Sequence, residues 1–174
     1  GINNTAVGYN ALNVNTTGAQ NTGIGHNAMS SNTTGYDNTA IGVNSMFGNV
    51  GGFGNIAMGR TSLRYNVNGN NNTALGSYAL TTNVSGSNNV AIGRDALYTA
   101  DGTNYNTAIG FRSMYTTTTG DYNTAVGYAS LYSNTTGAIN TSIGVWALYN
   151  NTIGIYNVAL GYQALNTNTS GKNN

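Results

Sequence analysis

The residues able to do chemistry are few in this chain of 174, and their spacing argues against catalysis. There is one His, His26, no Cys and no Glu, and the acids are Asp37, Asp95, Asp101 and Asp121. A nucleophile needs a base within hydrogen-bond reach, and glycoside hydrolysis uses paired carboxylates. A lone His reads as a solvated side chain. The four Asp occupy different places in the repeat described below, so no paired-carboxylate site is expected. Calcium-binding repeats place an Asp in nearly every copy, which this chain does not. Its glycines open no phosphate loop, since no Gly-Lys-Ser/Thr is present. The expectation is a chain that is not an enzyme and holds no metal or cofactor.

The remaining chemistry-bearing side chains are aromatic and amide, and both fall into register once the period is seen. Gly8, Gly25, Gly42, Gly59, Gly76, Gly93, Gly110, Gly127, Gly144 and Gly161 are each 17 residues apart. Such a metre is the signature of a stacked repeat. Ten copies and four further residues account for the whole chain, a single array over 1–174. Copies begin at Asn4, Asn21, Asn38, Asn55, Asn72, Asn89, Asn106, Asn123, Asn140 and Asn157. Taking that Asn as slot 1, slot 2 is Thr, Val or Ile. Slot 3 is Ala, Gly or Ser, slot 4 a large aliphatic, and slot 5 the invariant Gly. Slot 8 is Ala or Ser, slot 9 Leu or Met, and slot 15 Gly in nine copies. In the sixth copy Asp101-Gly102-Thr103 moves that Gly one place earlier, which predicts a different turn at the same corner.

These slots predict an all-β parallel β-solenoid, or β-roll, of ten rungs. Each rung is expected to hold two short strands and two turns, with a bend at the slot 5 Gly. The slot 15 Gly is expected to supply positive φ at the closing corner. Gly, Asn and Thr dominate and interrupt any helix. Alternation along the first strand puts slots 2 and 4 on one face and slots 1, 3 and 5 on the other. After the bend, slots 9 and 13 share a face and slots 8, 10 and 12 the opposite one. The aliphatics of slots 4 and 9 are expected to form a thin core. The flat Asn-Ala-Gly face is expected to pack against another copy, giving a homo-oligomer with three chains as the favoured count.

Stacking rungs about 4.8 Å apart sets each slot over its own copy. Asn21, Asn38, Asn55, Asn72, Asn89, Asn106, Asn123, Asn140 and Asn157 then form an amide ladder of the kind seen in cross-β stacks. Slot 10 carries Phe47, Arg64, Tyr98, Tyr115, Tyr132 and Tyr149 as a row along the rod. Two readings stand for it: recognition of a sugar or protein, or simple stabilisation of neighbouring rungs by stacking. Slot 6 predicts a cation–π and aromatic stack of Arg94, Phe111 and Tyr128. Slot 7 predicts an ion pair between Asp95 and Arg112, and places Trp146 at the surface or between chains. Asn15, Asn32, Asn134 and Asn168, in slot 12, match the glycosylation pattern but read as corner residues. An ice-binding Thr face at slot 13 is broken by Val50, Val67, Val84 and Asp101.

Charged residues are 5% of the chain and the formal net charge is +1. Phosphate neutralisation needs clustered Lys and Arg, so no nucleic-acid partner is expected. No apolar run approaches the roughly 20 residues of a membrane span. Both ends fall inside a repeat. The chain therefore reads as a segment of a longer one, or as a subunit whose rungs continue across a junction in a self-assembling filament.

The unit Asn89-Val90-Ala91-Ile92-Gly93 resembles the repeat of YadA-like heads of trimeric autotransporter adhesins. The longer unit at Asn4 to Gly18 and Asn123 to Gly137 resembles repeats of bacteriophage tail-fibre proteins and related bacterial surface proteins. The resemblance covers the entire chain, although adhesin heads usually run shorter repeats. It implies a trimeric extracellular fibre, on a virion tail or a bacterial cell surface, that serves attachment to a host cell or surface. A shaft, or a head binding host glycan or protein through the Tyr row, both fit that implication.

Overall fold

The computed structural model describes residues 1–174 and contains no helix. Ten three-residue strands run from Thr5–Val7 (β1) to Val158–Leu160 (β10), one per rung at slots 2 to 4. They form a single parallel sheet in sequence order. Its register is 17 residues throughout: Thr73 faces Val90, Ala74 faces Ala91 and Leu75 faces Ile92. The molecule is a β-solenoid. Of 111 backbone hydrogen bonds only 18 lie within the strands, so the turns also bond rung to rung. Gly25 N–H donates to the Val7 carbonyl at 2.8 Å, and Met29 N–H to the Ser45 carbonyl at 3.0 Å.

The faces of the strand are the reverse of the expected assignment. Asn at slot 1 and Ala at slot 3 point inward, with Ala40, Ala57, Ala74, Ala91 and Ala108 fully buried. The slot 4 aliphatics point out, with Met58 42% and Ile143 39% exposed. The two-residue alternation holds, but the side turned to the core is Asn-Ala and not the aliphatic one. The interior is too narrow for it: a Cβ on Gly23 in slot 3 would already lie 3.3 Å from Leu12 Cγ of the slot 9 column, so slot 3 takes only Gly, Ala or Ser.

A second strand does not form. In every rung slots 7 and 9 hold φ near +50 to +60°, as at Asn44 (56°) and Met46 (48°). Two left-handed residues flanking slot 8 break the two-residue alternation. Slots 8 and 9 therefore both turn inward, and slot 12 joins them. Met29, Met46, Leu63, Leu80, Leu97, Met114, Leu131 and Leu148 are fully buried and stack as the core column. Each contributes about 1.5–3 kcal/mol by burial. They are the one large aliphatic per rung inside, where two were expected.

The two glycine columns differ in cause. Gly42 in slot 5 has φ 135°, and a Cβ there would lie 2.6 Å from the Gly59 carbonyl oxygen of the next rung. The bend reading holds for this column. Gly52 in slot 15 does not have positive φ, contrary to expectation. A Cβ on it would lie 2.5 Å from Asn49 Oδ1 and 2.5 Å from the Gly69 carbonyl oxygen. Close approach, not backbone hand, selects Gly there. In the sixth rung the displaced Gly102 does take φ 71°, so that corner is a different turn as expected.

Candidate functional site

Two amide ladders line the interior. In slot 1, Asn38 Nδ2 donates to Asn21 Oδ1 at 3.1 Å and to the Gly52 carbonyl of its own rung at 2.8 Å. The Asn21 oxygen also accepts the Asn38 backbone N–H at 3.1 Å. The same pattern joins Asn55, Asn72, Asn89, Asn106, Asn123, Asn140 and Asn157 in turn. In slot 12, Asn49 Nδ2 donates to Asn32 Oδ1 at 2.7 Å and to the Gly52 carbonyl at 3.1 Å. Both ladders thus converge on one slot 15 carbonyl per rung. A buried amide with both protons and its oxygen engaged avoids the desolvation penalty of an unpaired group. Slot 12 is therefore interior, not merely a corner. The Nδ2 atoms of Asn32 and Asn134, where a glycan would attach, are buried and donate within the rod.

The slot 12 ladder has one break. Ala100 and Thr117 replace Asn in rungs six and seven, and Thr103 replaces the slot 15 Gly. Asn83 Oδ1, Thr103 Oγ1 and Thr117 Oγ1 are left buried without a hydrogen bond. Arg64 Nε is the only other such atom.

The outer columns hold the aromatics. Tyr98, Tyr115, Tyr132 and Tyr149 stack with centroids 5.3, 5.2 and 5.0 Å apart and planes within 12°. They are half-buried. Phe47 and Arg64, lower in the same column, form a cation–π contact at 5.6 Å. Arg94 lies 5.9 Å over Phe111, and Phe111 stacks on Tyr128 at 5.3 Å. Asp95 is reached by Arg112 at 3.4 Å and by Arg94 at 3.5 Å. Arg112 also covers Tyr115 at 5.3 Å. The neighbour relations read for slots 6, 7 and 10 are all present. Burial pushes the Tyr115 phenol above its ordinary range; Asp95, Tyr132 and Tyr98 push the same way and Arg112 opposes.

Sequence reasoning missed two further columns. In slot 16, Tyr36 stacks on Phe53 at 4.8 Å, and in slot 17, Tyr105 stacks on exposed Tyr122 at 5.0 Å. Aligning slots 16 and 17 as slot 10 was aligned would have found both. His26 stacks on Tyr9 at 5.4 Å, and no group of three or more His, Asp or Glu lies within metal-holding reach. Asp121 Oδ1 accepts the Asn104 N–H at 2.7 Å and Asp101 Oδ1 the Val84 N–H at 3.2 Å, both as links between rungs.

One hollow opens on the surface, about 350 Å³, lined by Trp146, Tyr149, Asn150, Gln163 and Asn166. It sits where the slot 10 column changes from Tyr149 to Asn166. Trp146 packs edge-on to Tyr128 at 6.0 Å and tilted to Tyr162 at 5.8 Å. No helix is long and apolar enough to cross a membrane. Comparison of the chain with protein-family models, curated proteins and solved structures gives no match.

Proposed function

We propose that this chain is a structural shaft of an extracellular fibre, assembled from parallel copies of itself, with three chains as the favoured count. The observation that carries the proposal is the outer face of the sheet. Slots 2 and 4 present Thr, Val, Ile, Leu and Met in all ten rungs, with no charge in either column. At about 4.8 Å per rung and 3.3 Å per residue the strip is roughly 48 Å by 10 Å. At about 480 Å² that is toward the upper end of what a monomer leaves open, and such patches mark interfaces. A partner that buries ten evenly spaced aliphatics in step must carry the same spacing. A second copy of the chain does. The packing surface is therefore the aliphatic face and not the Asn-Ala-Gly face, which is spent on the interior.

A stiff rod of this kind positions whatever lies beyond its ends, which suits attachment at a virion tail or a bacterial surface. Light scattering with electron microscopy of the purified chain tests the assembly. The expected result is a trimeric rod, which Ile92→Lys with Ile109→Lys converts to a folded monomer. A monomeric wild-type chain would sink the proposal.

A further inference from the structure

The geometry points to a binding site for a neutral sugar ring at the end of the tyrosine ladder, between Trp146 and Asn166. Each Tyr in slot 10 is covered by the next for three steps, at 5.0–5.3 Å. At the fourth step the covering residue is Asn166, whose amide is too short to lie over the Tyr149 ring. The outer face of Tyr149 is left bare, and the hollow of about 350 Å³ occupies the place of the missing ring. That volume is at the small end of ligand pockets. The other end of the ladder, where Thr81 underlies Tyr98, has no hollow.

The walls define the ligand. Tyr149 offers a flat face and Trp146 a second aromatic surface, held by Tyr128 and Tyr162. Aromatic faces carry negative quadrupole charge and attract the weakly positive C–H edges of a pyranose. The rim is amide. Asn166 Nδ2 donates to the Trp146 carbonyl at 3.0 Å, and Asn150 Nδ2 to the Asn166 carbonyl at 3.0 Å and to Asn166 Oδ1 at 3.4 Å, fixing two of the three amides. The exposed Gln163 amide makes no hydrogen bond within the protein, and a side-chain amide has both donor and acceptor for a diol. No charged residue stands between Asn123 and Gly171, so nothing here neutralises an anionic or cationic ligand. A ring-sized, hydroxylated, uncharged ligand fits, and a hexopyranose unit of a neutral glycan is that class. The site stands apart from the assembly proposal, because its residues occupy slots 7, 10 and 11 and none occupies the sheet face.

Trp146 is the only Trp in the chain, so its fluorescence reports on this site alone. Titration with cellohexaose, maltohexaose, chitohexaose and mannohexaose is expected to shift its emission saturably for at least one of them. The dissociation constant should be about 1 mM, the scale a single ring reaches at ordinary ligand efficiency. Asn166→Tyr continues the column as three rungs already do, so it keeps the fold and fills the hollow; it should weaken binding at least about tenfold, or roughly 1.4 kcal/mol. Gln163→Ala should weaken it severalfold. No shift with any of the four sugars at about 10 mM, far above that constant, overturns the site. So does undiminished binding by Asn166→Tyr, or a response to free indole or adenosine with none to sugars.

Discussion

The break in the slot 12 ladder shows that residues in this rod are chosen in pairs. Wherever slot 12 is Asn, slot 15 is Gly, because the Asn oxygen occupies the space of a Cβ. Where slot 12 is Ala100, slot 15 carries Thr103, whose Cβ meets no such oxygen. Ala100→Asn alone should therefore destabilise the rod by about 1–3 kcal/mol through overpacking against Thr103. Rebuilding residues 100–103 as Asn-Thr-Thr-Gly with Thr117→Asn should stabilise it by about 1–3 kcal/mol, since it pairs the orphaned Asn83 oxygen. Thermal denaturation of the two variants decides the matter, and the same sign for both would refute the coupling. The Tyr ladder makes a second residue-scale prediction. The Tyr115 pKa is raised in the folded state, so that state binds more protons than the unfolded chain once pH passes about 10. The stabilisation this implies is complete below pH 10 and is lost as pH climbs through the folded value. Tyr115→Phe should remove a phenolate component titrating above the ordinary tyrosine range at 295 nm and flatten the alkaline loss of stability.

At the scale of the rung, the regular element is not the strand but the turn that follows it. Three residues of each rung are strand, while slots 7, 9 and 17 take left-handed conformation in every copy. A non-Gly residue in that region costs on the order of 1–2 kcal/mol, least for Asn or Asp. Slot 17 holds Asn3, Asp37, Gly54 and Asn71, which suit it, and also Ile139, a β-branched residue at φ 57°. Ile139 is 46% exposed, so Ile139→Gly gives up little burial and should raise stability by about 0.5–1 kcal/mol. A lower melting temperature would show that Ile139 is held by packing instead. This turn also marks the limit of what the sequence discloses. The period, the single array, the slot 1 ladder, the slot 5 bend and the slot 10 stack are legible, because each needs only the 17-residue spacing. Which face of the strand is inside is not legible, since alternation divides Asn-Ala from Thr-aliphatic without naming the core. Hydrophobicity points to the aliphatic side, and the slot 9 column packed close against slot 3 overrules it. The left-handed pair at slots 7 and 9 leaves no composition signal either: Leu and Met at slot 9 argue for a strand. The hollow beside Trp146 escapes notice for a different reason. It is made by the one place where the Tyr column stops, and reading columns favours residues that repeat.

At the scale of the molecule, every rung sits in the same relation to its neighbours, so stability should be close to a sum of rung and interface terms. The unit of tolerance is then 17 residues. Removing residues 38–54 brings Asn21 against Asn55, Met29 against Leu63, Asn32 against Asn66 and Gly35 against Gly69, and every interior column stays in register. Such a chain should fold as a nine-rung rod, one rung shorter by about 4.8 Å. Its cooperative melt should lie only a few degrees lower, since the shared ladders on both sides are remade. Deleting the single residue Gly51 is a smaller change in mass and a larger one in physics. Slots 15 to 17 of that rung would have to reach Asn55 with one residue missing, so either the Asn38 and Asn49 amides leave the Gly52 carbonyl or the chain slips. A slip of one residue turns a buried ladder outward and puts Thr or Ile in its place. A buried amide deprived of its partners costs about 1–3 kcal/mol each, and the ladders would lose several. Circular dichroism melts of the two deletions separate the cases: the 17-residue deletion should keep a single sharp transition, and the one-residue deletion should melt lower or in two steps. If the shorter deletion proved the milder, the rod would be held by its aliphatic column alone and the amide ladders would be passengers.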